Sequence, residues 1–189
     1  SISGDNMARE SGIKPNDDCR AEAFTLNNEA ANYLGASKPE KALPLLQRAV
    51  DLLPDDVSIL LNLGGAYVLL GRHDEAVSVL MRAAEVAPTE AMVWCNLGAA
   101  FLRLPGERTD ADQLRAIAAF ERALALDPKA PHVAYNLGLI YRDRQEWLEA
   151  VNAFRRALDA NPNDRDAHIL LQRAEARLAE QRREGNGHD

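Results

Sequence analysis

The chain has 189 residues, with 22 Lys and Arg against 29 Asp and Glu, for a formal charge of −7. That balance offers no general basic surface for nucleic-acid phosphates or anionic lipid. Apolar residues make up 47% of the chain but aromatics only 5%. The interior must therefore be mostly Ala and Leu, which favours closely packed helices over a sheet.

No uninterrupted apolar run approaches the ~20 residues needed to cross a bilayer, and no basic-then-apolar signal opens the chain. Cys19 and Cys95 lie far apart with no CxxC spacing. A disulfide framework is unsupported, and a reducing, cytoplasmic compartment is the expectation.

In chain order, residues 1–17 read as a polar N-terminal tail, followed by a helical array over 18–183. The prolines mark its period. Pro54, Pro88, Pro128 and Pro162 each follow an apolar helical stretch, at separations of 34, 40 and 34 residues. Asn28, Asn62, Asn96 and Asn136 are separated by 34, 34 and 40. One insertion of six residues accounts for both series, and the turn-rich "LPGERTD" at 104–110 is its natural place. Four units result: 23–56, 57–90, 91–130 and 131–164. Pro44 falls inside the second helix of the first unit, where it removes a backbone hydrogen bond and predicts a kink. After the fourth unit, 165–183 forms one more helix, with Ile169, Leu170, Leu171 and Leu178 as its apolar places. It has no following partner and suits a cap over the last exposed face of the array. Residues 184–189 read as a second polar tail.

Fixed places recur within the units. The second has Leu60, Leu63, Gly64, Tyr67, Ala76, Leu80, Ala83 and Pro88; the third has Trp94, Leu97, Gly98, Phe101, Ala116, Phe120, Ala123 and Pro128. The fourth has Ala134, Leu137, Gly138, Tyr141, Ala150, Phe154, Ala157 and Pro162, and the first follows more loosely with Leu26, Ala30, Tyr33, Ala42, Leu46, Ala49 and Pro54. With two amphipathic helices per ~34 residues, the chain resembles the tetratricopeptide repeat family. The resemblance implies an all-α fold, an α-solenoid of antiparallel helix pairs wound as a right-handed superhelix. Small residues at fixed points let helices approach closely, and larger ones fill the layers between.

The resemblance also implies a function, protein–protein interaction. In this family the first helix of each unit lines a concave groove through its second, fifth, sixth, ninth, twelfth and thirteenth places. Asn28, Asn62, Asn96 and Asn136 all take the sixth, which resembles the asparagine ladder in the tetratricopeptide part of O-linked N-acetylglucosamine transferases. A carboxamide both donates and accepts, so it can hold the backbone of an extended peptide without reading side chains. First helices ~10 Å apart would meet about every third residue of a chain rising ~3.3 Å per residue. Leu61, Met92, Cys95, Tyr135 and Leu139 supply apolar spots, and Arg103 and Arg142 the cations. The alternative for the asparagines is that they bond within the helix layer or face water.

No cofactor or metal is expected. Cys95 and His132 lack a third orienting group, and no Gly-rich phosphate loop occurs. Nor are the lysines and arginine of a chaperone-tail clamp present at the matching places. The chain is read as no enzyme by itself. Two further functional readings stay open: a structural or self-assembling scaffold using the convex face or the 104–110 loop, and the recognition part of a larger enzyme.

Overall fold

The computed structural model describes residues 17–102, 109–130 and 132–185. The expected tails at 1–17 and 184–189, most of the 104–110 loop and the candidate Arg103 lie largely or wholly outside the described residues. Nine helices and no strands are found among those described. The helices are α1 (Asp17–Gly35), α2 (Pro39–Leu52), α3 (Val57–Leu69), α4 (His73–Val86), α5 (Ala91–Phe101), α6 (Asp110–Leu126), α7 (Val133–Asp143), α8 (Trp147–Ala160) and α9 (Arg165–Gly185). They group into an N-terminal body ending at Val86 and a C-terminal body beginning at Ala87.

Each repeat is a helix hairpin, and the closest packing is between its own two helices: α1 with α2, α3 with α4, α5 with α6, and α7 with α8. Three of the hairpins close through the same turn. The Lys38, Arg72 and Glu146 N–H groups donate to the Tyr33, Tyr67 and Tyr141 carbonyls at 2.9, 2.8 and 2.9 Å. The residue before each donor is left-handed: Ser37 (φ 55°), Gly71 (φ 70°) and Gln145 (φ 61°). This bonding satisfies carbonyls that a helix end leaves open, and it reverses the chain in three residues.

Behind the turns, glycine sets the helix spacing. A Cβ on Gly64, Gly98 or Gly138 would lie 2.5, 2.6 or 2.5 Å from a carbon of Leu80, Phe120 or Phe154. Those large side chains are fully buried and fill the space that the glycines leave. Pro44 sits on the exposed side of α2, which continues through it. Glu40, whose carbonyl loses its helical partner, is also exposed and reaches water.

Several hydrogen bonds tie successive units in the C-terminal body, and two of them share one design. Trp94 Nε1 donates to the Pro88 carbonyl at 2.9 Å, and His168 Nε2 to the Pro162 carbonyl at 2.9 Å. Both side chains stand at the fourth place of their unit, counted from Ala91 and Arg165. Arg144, in the turn of the fourth repeat, reaches Asp110 and, at 3.2 Å, Gln113 on α6. The capping helix α9 packs on α8, with Leu170, Leu171 and Leu178 against a cluster holding Val151 and Phe154.

Candidate functional site

In the N-terminal body, the faces of α1 and α3 meet through a directed series of hydrogen bonds. Asn62 Nδ2 donates to Asn27 Oδ1 at 2.9 Å, and Asn27 Nδ2 donates to Ser58 Oγ at 3.3 Å. Ser58 donates in turn to Asp56 Oδ1 at 2.6 Å, and the same carboxylate oxygen caps α3 by accepting from the Ile59 N–H at 3.1 Å. Every donor points toward the one charged acceptor, which strengthens the series. Asn27 is only 6% exposed, and the network satisfies its buried amide. Asn62 uses one amide hydrogen here and keeps its carbonyl oxygen and second hydrogen.

The residue that meets Asn62 is therefore Asn27, while Asn28, the one singled out by repeat spacing, is exposed. Successive helical residues point ~100° apart, so only one of the adjacent pair can face α3. Spacing by 34 picks Asn28; the packing of α1 on α3 picks Asn27. The fifth and second places that Asn27 and Ser58 occupy are both groove-facing by family resemblance, so the signal lay in the sequence.

In the C-terminal body, Asn96 on α5 and Asn136 on α7 stand half-buried. Neither side chain makes a hydrogen bond among the described residues. Their donor and acceptor capacity is thus unspent. Leu61 in the N-terminal body is half-buried, as are Cys95, Tyr135, Leu139 and Arg142 in the C-terminal body; Met92 is exposed. Tyr135 meets Phe154 edge-on at 6.1 Å, and burial, then Asp166 and Asp164, push its hydroxyl pKa up. Arg142 donates through Nε and Nη2 to Asp143 Oδ1 at 3.0 and 2.6 Å, so its charge is partly compensated.

Cys95 packs against the apolar cluster around Leu137 and Ile140. Burial first, and the Asp127 carboxylate second, push its thiol up to about 11. A thiol so placed is an apolar filler rather than a nucleophile. Among the described residues, no group of three or more His, Cys, Asp or Glu side chains could hold a metal ion. No described helix is long and apolar enough to cross a membrane.

Comparison with known proteins bears on the fold. One family profile of the tetratricopeptide repeat matches residues 33–99, and a second matches 114–165 and 135–182. No curated protein matches the sequence. Among similar solved structures, a crystal structure of MamA protein gives a TM-score of 0.71 at 22% identity, over 84% of this chain and 83% of that one. MamA from Desulfovibrio magneticus RS-1 gives 0.72 at 22% identity, over 92% of each chain. The APC/C hetero-tetramer Cut9–Hcn1 gives 0.71 at 21% identity, over 80% of this chain and 30% of that one. Likeness at this level shows a shared all-α solenoid.

Proposed function

The chain belongs to the tetratricopeptide repeat family and is a protein-interaction module, and from that premise we propose that its first helices hold an extended peptide segment of a partner protein. Asn62, Asn96 and Asn136 hold the peptide backbone, Asn28 adds a weaker fourth rung, and Asn27 orients Asn62 through its hydrogen bond. Leu61, Met92, Cys95, Tyr135 and Leu139 receive apolar side chains, and Arg142 faces an acidic one. The observation that carries this reading is the unspent capacity of the carboxamides at one repeated place. Among the described residues two make no side-chain hydrogen bond, and the third is held by one hydrogen only. Each new hydrogen bond contributes about 0.5–1.5 kcal/mol, so several rungs and apolar contacts must act together.

The module acts by binding its partner, and we place it in the cytoplasm. The test is a display screen of proteome peptides against the parent and the variant Asn62→Ala, Asn96→Ala, Asn136→Ala. Extended peptides enriched by the parent and lost by the variant support the reading. Equal enrichment by the two proteins refutes it.

A scaffold reading has one observation in its favour. Leu114 on α6 and Leu148 on α8 take the same place in their repeats and are 49% and 46% exposed. Concentration-dependent sedimentation abolished by Leu114→Gln with Leu148→Gln, but not by the asparagine variant, would favour it.

A further inference from the structure

The second helices α2 and α4 each pack on α3 and leave a cleft of about 820 Å3 between them, wholly within the N-terminal body. That size falls among the ~300–1,000 Å3 clefts that seat ligands. Its floor is apolar, formed by the buried Leu60, Leu63 and Tyr67 of α3. Val50 on α2 and Met81 on α4 extend the apolar surface up the walls, and Met81 is 48% exposed.

The rim carries negative charge on both walls, Asp51 on α2 and Glu85 on α4. Both carboxylates are exposed, and among the described residues neither has an ion-pair or hydrogen-bond partner. The one cation lining the cleft, Arg82, is spent elsewhere. Its Nε and Nη2 donate to Asp55 Oδ1, in the turn after α2, at 3.0 and 2.7 Å. Elsewhere in the chain an Arg three residues before a Glu pairs with it: Arg72 with Glu75 at 2.8 Å, and Arg177 with Glu180 at 3.1 Å. Arg82 stands three residues before Glu85 and does not.

The C-terminal body treats the same boundary differently. Its matching places lie 74 residues on, as Pro54 matches Pro128 and Pro88 matches Pro162. Lys129 stands where Asp55 does, and Arg156, the counterpart of Arg82, donates across to the Leu124 carbonyl of α6 at 3.3 Å. Ala125 replaces the free Asp51, and Arg155 replaces Met81 and pairs with Glu175 at 2.7 Å. Arginines thus bridge that boundary, while the one between α2 and α4 stays open, apolar beneath and acidic above.

We propose that this cleft docks a basic segment of a partner protein. Lysine or arginine side chains of the segment lay their aliphatic stems over Leu60, Leu63 and Tyr67 and carry their charged heads to Asp51 and Glu85. An apolar neighbour in the segment packs on Met81, whose flexible thioether adapts to varied shapes. A free polyamine would meet the carboxylates but has no side chain for Met81. Acidic residues outnumber basic ones over 17–86, so the body also attracts such a segment from a distance. The cleft uses none of the asparagine carboxamides, so it stands or falls separately from the peptide-backbone reading.

The test is a fluorescence-polarisation titration of the full chain with a labelled KLKKLK peptide. Saturable binding that weakens with added salt is expected. Asp51→Asn with Glu85→Gln should weaken it about five- to tenfold, the loss of two charge pairs at an open site. Glu29→Gln with Glu40→Gln removes the same charge elsewhere on the body and should change binding little. All four places are exposed, so the variants should melt as the parent does. A KSKKSK peptide, charged but without apolar side chains, should bind several-fold more weakly. NMR shifts should centre on the methyl groups of Val50, Val79 and Met81, and the triple asparagine variant should bind the peptide as the parent does. Absence of saturation, equal weakening by the two double variants, equal binding of KSKKSK, or shifts centred elsewhere would each overturn the proposal. Spermine binding as tightly as the peptide would overturn it in favour of a polyamine.

Discussion

Adjacent glycines on α3 separate helix propensity from helix spacing. Gly64 and Gly65 both lie inside the helix, so replacing either by Ala gains ~1 kcal/mol of intrinsic preference. At Gly65 a new Cβ meets nothing within 4 Å. At Gly64 it would lie 2.5, 2.6 and 2.9 Å from Cγ, Cδ2 and Cδ1 of Leu80. All three carbons obstruct it, so rotating a methyl cannot relieve the overlap, and α3 and α4 must move apart. Carbon contacts prefer ~3.5–4.0 Å, so the deficit is about 1 Å, and overpacking of this kind costs roughly 1–3 kcal/mol. Taking the upper part of that range, Gly64→Ala should destabilise by about 1–2 kcal/mol, while Gly65→Ala should stabilise by about 0.5–1 kcal/mol. For a chain of this size, 1 kcal/mol shifts the melting midpoint by roughly 2–4 °C, which separates the two variants by about 5–10 °C. Circular dichroism melts and urea midpoints would measure the gap. Midpoints that move together, or a lower one for Gly65→Ala, would show that Gly64 does not set the spacing of this hairpin.

The repeated turn makes a second prediction. Ser37→Gly and Gln145→Gly relieve a left-handed strain of ~1 kcal/mol each and should raise the urea midpoint, whereas Gly71→Ala should lower it; unchanged midpoints in all three would contradict the turn account. With its thiol held up to about 11 from an ordinary value of 9.0, Cys95 should alkylate slowly at pH 8 and faster as pH climbs toward 11. Because the folded value is raised, the stability linked to this group is fully present below pH 9 and lost between 9 and 11. Mass-spectrometric iodoacetamide labelling reads the rate, and labelling of Cys95 at pH 8 as fast as an unstructured peptide would contradict its burial. Asn27→Leu leaves the Asn62 amide without its acceptor and should destabilise the N-terminal body by about 1–3 kcal/mol in urea unfolding; a neutral result would show that water replaces the bond without loss.

The helix pairs were legible because prolines and glycines act through local backbone geometry, which a sequence states directly. Gly64, Gly98 and Gly138 against Leu80, Phe120 and Phe154 could be paired by spacing, and the structure packs them so. The asparagine register of the first unit was not legible in the same way. Which residue meets Asn62 depends on how α1 rotates against α3, a tertiary quantity that gives this hydrogen bond to Asn27 and leaves Asn28 exposed. The fourth place of the last full unit is a break in pattern, Ala134 where the preceding unit has Trp94. Only the side-chain positions reveal that Trp94 donates to the Pro88 carbonyl, a bond that Ala134 cannot make at Pro128.

The three-residue turns that close three of the hairpins have a kinetic consequence. The tightest packing in the molecule joins helices that are neighbours along the chain, so the loops that must close before that packing forms are short. Such a topology collapses rapidly, hairpin by hairpin, because little chain entropy is lost before contact energy is gained. The reverse process should be graded rather than all-or-none, with α9 releasing early, since among the described residues it packs chiefly on α8. Native-state hydrogen exchange would then show protection rising inward from the capping helix. A chain assembled in this way has many places to begin folding and none that must come first.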